Sequence, residues 1–346
     1  MKIAIIEVSS SHEECIYTQV KFLTDSKNKV TLFLHLSLEA QIQEYKNLLT
    51  EVNYFDFDSF LGLKKIKLQW KLLQQLKGFD ILIFNTASSS KIVRNLAFLL
   101  NFYSVQCIGI LHNTKKLNSS FTQKIISTKI KKYYVLNDYL ELKHKKLKIC
   151  SFYPIFFPNY SFINKKKDNE IWISIPGRID YNRRDYSFLI NSLSKTKPLT
   201  KIKFIFLGKI DNNSAQGKQL IHELKQNNLL NQFIVFNNFI PNKKYHSILK
   251  SSDYILPLLQ TENDYLNHKI SGSFNLAFAN KTPLICNSFF QEIPDLKENS
   301  LFYSSSTLIN LLKEIDQGKE IGLNKYINSK WVYKFQKNKY LNFIKE

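Results

Sequence analysis

Short apolar runs alternate with helical periodicities along the chain, and the alternation comes in two rounds. In the first round Lys2–Val8, Lys29–His35, Asp80–Asn85, Gln106–Leu111 and Lys132–Leu136 read as buried strands. In the second, Ile171–Ile175, Lys203–Leu207, Phe233–Phe236, Asp253–Leu256 and Pro283–Cys286 do. Helical patterns fall between them, around Tyr186–Ser194, Gly217–Asn227, Tyr245–Ser251 and Phe274–Ala279. Ser11, three residues before Glu14, reads as a capping box opening a helix after the first strand. Strands separated by helices predict parallel βαβ units and doubly wound sheets, so the fold class is α/β.

Leu63 to Leu76 is helical, with Leu63, Ile66, Trp70 and Leu73 on one stripe. That stripe suits packing on the sheet. It also suits an anionic membrane face, with Trp70 at the interface and lysines reaching headgroups. Two prolines among aromatics in Phe152–Tyr160, then the charged stretch Asn164–Asn169, mark a junction. The expected domains are residues 1–157 and 158–324. A terminal helix is expected from about residue 325 to 346, with Trp331, Phe335, Tyr340 and Phe343 as packing residues. No fixed-period repeat is visible beyond the two similar halves.

Composition supports two cores: 346 residues with 44% hydrophobic content suit two domains. The formal charge is +21 and unevenly spread. Lys115 to Lys148 holds ten lysines and two acids, and Lys64 to Lys77 holds five lysines and no acid. Such clusters attract polyanions, either nucleic acid or an anionic membrane. Zinc spacings and aromatic RNA-binding motifs are missing, so nucleic acid is not an expected partner. Cys15, Cys107, Cys150 and Cys286 are scattered and read as reduced thiols of a cytosolic protein. The first eight residues are too short and too acidic for a secretion signal, and no apolar run approaches the roughly 20 residues of a membrane span.

Three motifs carry candidate chemistry. In Pro176–Tyr186 a buried strand ends in Gly177, and Arg178, Arg183 and Arg184 follow before a helix. Arginines at the carboxyl end of a parallel strand match phosphate geometry, though a solvated basic turn has the same composition. In Lys269–Ile285 the group Ser271-Gly272-Ser273 opens a helix, with Lys269 beside it. Uncovered N–H groups and the helix dipole there suit a phosphate or diphosphate, while an ordinary N-cap has the same sequence. Phe236–Pro241 is a strand and loop presenting Phe239 and Ile240. In the first half, His112 ends a strand, and His12 and Glu13 sit in the first strand-to-helix loop. Asp56-Phe57-Asp58 has the spacing of a metal-holding pair but lies in a loop amid aromatics, and no metal is expected from it.

These motifs resemble the donor-binding segments of two-domain GT-B glycosyltransferases, especially the retaining family 4 type. The resemblance covers most of Ile171–Ser305, and Met1–Pro158 only through strand order. It implies two Rossmann-like domains with a cleft between them and a C-terminal helix crossing back to the N-terminal domain. Arg178 and Arg183 match the two cations on the donor diphosphate, with Arg184 one step off. His112 matches a histidine facing the sugar, and Gly177, Arg184, Phe239, Ile240, Lys269, Ser271, Gly272, Ser273 and Asn275 fall in the donor site. His12 and Glu13 fall on the acceptor side. The chain departs from the family at its two glutamates, which are His268 and Leu276 here, with Asn275 left to meet a ribose hydroxyl.

The resemblance implies metal-independent, retaining hexosyl transfer from a nucleotide-diphosphate sugar to a glycan or lipid-linked acceptor, in bacterial surface polysaccharide synthesis. No cofactor is expected beyond the nucleotide-sugar co-substrate. The expected location is cytoplasmic, with peripheral contact at the inner face of the cell membrane. A GT-B protein that binds without turnover, or a sugar-nucleotide epimerase of the same fold, remains an alternative.

Overall fold

The computed structural model describes residues 1–59, 62–88, 90–160, 166–319 and 326–346. Ser89, Asn164 and Lys165 of the expected loop and junction, and the expected 324/325 boundary, lie outside the described residues. The chain forms two compact units. The first comprises Met1–Pro158, Asn267–Ile270 and Ser329–Glu346, and the second Asn159–Leu266 and Ser271–Asn328.

The first unit is built on β1 (Lys2–Glu7), β2 (Lys29–His35), β3 (Glu51–Phe55), β4 (Ile81–Phe84), β5 (Gln106–Leu111), β6 (Lys132–Val135) and β7 (Lys148–Ser151). They form one seven-stranded sheet in the order β3-β2-β1-β4-β5-β6-β7, parallel at every pairing. In β1, Ile3, Ala4, Ile5 and Ile6 are all buried, as in a strand covered on both faces. Ala4 and Ile6 enter one core. Ile3 and Ile5 enter the other, with the helices Ile16–Thr24 and Tyr333–Lys345. The terminal helix is anchored by Tyr340, stacked on Tyr134 at 4.5 Å. Burying such a ring contributes roughly 1.5–3 kcal/mol. Trp331 and Phe343 are buried too, whereas Phe335 is exposed, contrary to expectation.

The second unit holds β8 (Ile171–Pro176), β9 (Ile202–Lys209), β10 (Phe233–Phe236), β11 (Tyr254–Ile255), β12 (Leu284–Asn287) and β13 (Ser300–Tyr303). Their order is β10-β9-β8-β11-β12-β13, again parallel. In each sheet the order reverses beside the first strand of the unit. In an open α/β sheet, that switch point at the carboxyl ends is where ligands collect. In the second unit it lies between β8 and β11. The two sheets and their flanking helices make the fold α/β, as expected.

Two expectations are corrected. Ser11 opens no helix: Glu13–Cys15 is a 3-10 turn behind His12, whose φ is 66°, and the α-helix starts at Ile16 without a side-chain cap. The Ser11 hydroxyl faces that of Ser9 at 3.1 Å, and Ser9 is turned onto Glu7. In the helix Gly62–Leu76, Leu72, Leu73 and Leu76 are buried, while Leu63, Ile66 and Trp70 stand exposed. The proposed stripe therefore contains one core residue and three surface ones.

Candidate functional site

Two neighbouring strands of the second unit end in the same way, with an apolar residue, a glycine and a base. β8 ends Pro176-Gly177-Arg178 and β9 ends Leu207-Gly208-Lys209, with Pro176 opposite Leu207. Both glycines are required by space. A Cβ on Gly208 would lie 2.1 Å from the Gly177 carbonyl oxygen. Gly177 has φ +112°, and a Cβ on it would lie 2.4 Å from an Arg184 nitrogen. The two strand ends close on each other, and Arg178 and Lys209 follow directly after the two glycines. Both cations are exposed, and neither makes an ion pair or side-chain hydrogen bond among the described residues. They border a cavity of about 620 Å³ that Gln216, Phe239, Ile240 and Tyr245 also line. Ile240 is buried, whereas Phe239 is 61% exposed and offers a ring face.

Behind Gly177 lies Arg184, 5% exposed. Its Nη2 donates to the Pro176 carbonyl at 2.7 Å and to the Ser273 hydroxyl at 3.4 Å, and Nη1 to the Arg178 carbonyl at 3.3 Å. Its Nε has no partner. Every acceptor is neutral, and among the described residues no carboxylate pairs with this guanidinium. A buried charge without a counter-charge is costly. Its field survives at the site and favours an incoming anion.

Arg184 also joins the strand end to the helix Gly272–Asn280, since the Ser273 hydroxyl donates to the Pro176 carbonyl at 3.3 Å. Ser271 caps this helix by accepting from Ser273 N–H at 3.3 Å. Gly272 is exposed, and a Cβ there would meet nothing within 4 Å, so its use is openness rather than a forced backbone. One turn in, Asn275 is buried and its Oδ1 has no donor. A buried amide oxygen left unpaired costs about 1–3 kcal/mol, which a ligand hydroxyl would recover. The helix ends at Lys281 in the left-handed region, φ 52°, where glycine is the usual cap.

Gly177, Arg178, Arg184, Phe239, Ile240, Ser271, Gly272, Ser273 and Asn275 all belong to the second unit. Arg183 does as well, but its Nη2 points to the Tyr265 hydroxyl at 3.4 Å. Lys269 and His268 belong to the first unit: the Lys269 carbonyl accepts from Tyr139 at 3.1 Å and the His268 carbonyl from Thr114 N–H at 2.9 Å. Lys209 and Gly208 escaped the sequence reading, although Leu207-Gly208-Lys209 repeats the Pro176-Gly177-Arg178 pattern and was there to find.

At the carboxyl ends of β1, β4 and β5, the first unit holds a different set. Glu7 is buried and accepts from Ser9 N–H (2.8 Å), Ser9 Oγ (2.6 Å), Asn85 Nδ2 (2.7 Å) and Thr86 Oγ1 (2.6 Å). Burial raises its pKa against those bonds. Asn85 Oδ1 accepts from Gln19 at 2.7 Å, and the Asn85 carbonyl faces His112 Nε2 at 2.7 Å. That contact fixes the proton on Nε2, leaving Nδ1 as the basic nitrogen. The His112 ring stacks on His12, centroids 3.7 Å apart. Burial and the neighbouring imidazole push the His112 pKa down to about 3, so it is neutral near pH 7. His12 Nδ1 lies 3.4 Å from Glu14. Glu13 accepts from the Tyr45 hydroxyl at 2.9 Å, and burial pushes its carboxyl up to about 8. Sequence reading found His12, Glu13 and His112 but missed Glu7, Asn85 and Glu14, which look like an ordinary strand end, loop and cap.

Asp56 is spent on its own turn, accepting from Asp58 and Ser59 N–H at 3.0 Å each, and Asp58 lies 3.2 Å from His35.

No protein-family model matches the chain, and no curated protein does. Solved structures do. Anabaena Alr3699/HepE in complex with UDP-glucose superposes with a TM-score of 0.65 at 13% identity, over 100% of this chain and 95% of that one. A glycosyltransferase from Rickettsia africae gives 0.65 at 14%, over 99% and 97%. The UDP-GlcNAc 2-epimerase of Methanocaldococcus jannaschii gives 0.63 at 11%, over 100% and 99%. The chain has the GT-B fold. At these identities the likeness establishes the fold, and the chemistry has to be argued from the sites.

Proposed function

We propose that this GT-B chain is a glycosyltransferase that binds a nucleoside-diphosphate sugar on its second unit. One observation carries the reading: Arg178 and Lys209 line one cavity just past glycine-closed strand ends, with a buried Arg184 behind Gly177 whose acceptors are all neutral. The diphosphate takes these cations and the exposed start of the helix Gly272–Asn280. The base lies against Phe239 and Ile240, and Asn275 Oδ1 accepts from a ribose hydroxyl. The bond from the anomeric carbon to the diphosphate breaks with its electron pair on the phosphate oxygen, where the cations stabilise the charge. The acceptor oxygen bonds to the anomeric carbon, and its proton passes to the departing phosphate. No metal or strong protein base is assigned a role. Retention, a hexosyl donor of the family 4 kind, and a glycan or lipid-linked acceptor of bacterial surface polysaccharide complete the proposal. The UDP-glucose held by HepE supports a uridine donor.

The test is turnover of a panel of UDP-, GDP- and CMP-sugars. The expected outcome is donor hydrolysis or transfer with one of them, unaffected by chelator and lost in Arg178→Ala. Binding without turnover would leave a nucleotide-binding protein, and neither binding nor turnover would sink the transferase. A second reading, epimerisation at the sugar, is favoured by the proton-handling groups His12, His112, Glu13 and Glu14. It predicts solvent deuterium in recovered UDP-sugar without any acceptor, which the transferase does not.

A further inference from the structure

His12 holds a backbone conformation that no helix end explains. Its φ of 66° is left-handed, where glycine is at ease and a residue with a Cβ is uncommon. Lys27, Asn228 and Lys281 share that region, but each stands at or just past the end of a helix, an ordinary place for it. His12 stands before the turn Glu13–Cys15, and its side chain does not cap that turn. What the conformation delivers is two contacts that converge on His112. The His12 ring lies flat on the His112 ring, with centroids 3.7 Å and planes 20° apart. The His12 carbonyl accepts from Asn85 Nδ2 at 2.9 Å, and the Asn85 carbonyl faces His112 Nε2 at 2.7 Å.

Asn85 is itself held on every side. Its N–H donates to the Ile6 carbonyl at 2.9 Å and its Nδ2 to Glu7 at 2.7 Å. Its Oδ1 accepts from Gln19 at 2.7 Å, and Gln19 Oε1 accepts from the Tyr340 hydroxyl at 3.1 Å. A hydroxyl starts this chain and a carboxylate ends it, so neither amide can reverse without setting donor on donor. A carbonyl only accepts, so the Asn85 carbonyl keeps the His112 proton on Nε2. His112 Nδ1 then carries a lone pair, and among the described residues no donor meets it. Backbone strain persists only where the surroundings over-determine it, and it clusters at functional sites. We propose that His12 is a positioning residue: its left-handed turn and stacked ring hold His112 so that Nδ1 accepts a hydrogen bond from a sugar hydroxyl. The sugar comes from the glycosyl-transfer reading above, and the geometry stands without it.

His12→Gly separates this role from a structural one, because glycine adopts φ 66° freely and only the ring is lost. The expected result is a melting temperature equal to or above that of the wild type, with kcat lower by at least about tenfold. The donor KM stays within about twofold. A lower melting temperature with unchanged kcat overturns the proposal. His12→Phe restores a ring without a proton and keeps kcat within about threefold of the wild type. A loss as large as that of His12→Gly would mean that His12 itself moves a proton, and overturns the positioning role. Donor hydrolysis without acceptor tells whose hydroxyl His112 meets: the donor sugar's if hydrolysis falls with transfer, the acceptor's if transfer alone falls. A second arm needs no turnover. Burial and the His12 imidazole hold the His112 pKa down at about 3, and the only other titratable group acting on it is Glu14, from the same segment after β1, which raises it. His12→Gly removes the imidazole and opens the ring to water, so the His112 titration followed by NMR moves up by at least about one unit. An unchanged titration overturns the proposal even where no donor is turned over, which keeps its failure distinct from failure of the glycosyl-transfer reading. Should His12→Gly not fold, His12→Asn, which also tolerates the left-handed region, carries the same expectations.

Discussion

At the ends of β8 and β9 the cations Arg178 and Lys209 make no ion pair among the described residues, the nearby Asp211 on the cavity wall being turned onto Asn213 N–H, and a buried arginine is paid for only by carbonyls and a hydroxyl. At the ends of β1, β4 and β5 the groups are carboxylates, amides and imidazoles bonded to one another. The two sheets share strand order and chain direction, so topology does not make this difference. The first set is incomplete without an anion, which suits binding. The second is nearly self-satisfied, which suits holding protons at defined positions. A fold that repeats one sheet plan thus carries two chemistries, set by the few residues that follow each strand.

Gly208→Val attacks the second unit where it has least room, since a Cβ would meet the Gly177 carbonyl at 2.1 Å. Overpacking of this kind costs roughly 1–3 kcal/mol, and here it also separates Arg178 from Lys209. Titration calorimetry should show UDP affinity lowered by at least about tenfold, 1.4 kcal/mol, while the first unit's own unfolding is unchanged.

Glu7→Gln makes the reciprocal cut. It weakens a buried acceptor of four hydrogen bonds, at a cost of roughly 1–3 kcal/mol, seen as a lower melting temperature. UDP affinity should stay within about twofold. A larger loss would mean the two sites are not chemically separate.

Glu13→Gln has the smallest effect, and its sign depends on pH. The folded pKa of about 8 lies above the ordinary 4.5, so between those values the native chain keeps a proton the unfolded chain has released. The stability this contributes is complete below 4.5 and is lost as the pH rises through 8. From pH about 5 to about 9, the melting temperature of the wild type should fall by a few degrees more than that of Glu13→Gln.

How much of this was legible in the sequence follows from which groups are buried. The central strands Lys29–His35 and Gln106–Leu111 are apolar runs and match the observed bounds, as does the apolar edge strand Phe233–Phe236. The missed strands β3, β7 and β13 are sheet edges, where one side is unpaired and the sequence turns partly polar. Periodicity found the helix Gly62–Leu76 but not which face looks inward, because apolar residues occur on two of its faces. In the donor-type site, Gly177-Arg178 and Ser271-Gly272-Ser273 announce themselves by residue type at a strand end and a helix start. Arg184 was read as a donor-site cation one step off the family pattern, and only packing shows that it is buried behind Gly177. Glu7 was unreadable for a like reason: nothing in Glu7-Val8-Ser9 tells that the carboxylate turns inward onto Asn85 and Thr86.

The most direct test of the central claim is amide hydrogen exchange of the full chain with and without UDP. Slower exchange confined to Gly177–Arg178, Gly208–Lys209 and the Ser271–Ser273 helix start is the predicted result. Protection elsewhere with these three segments unchanged, or no protection at saturating UDP and GDP, would contradict a nucleoside-diphosphate site at the ends of β8 and β9.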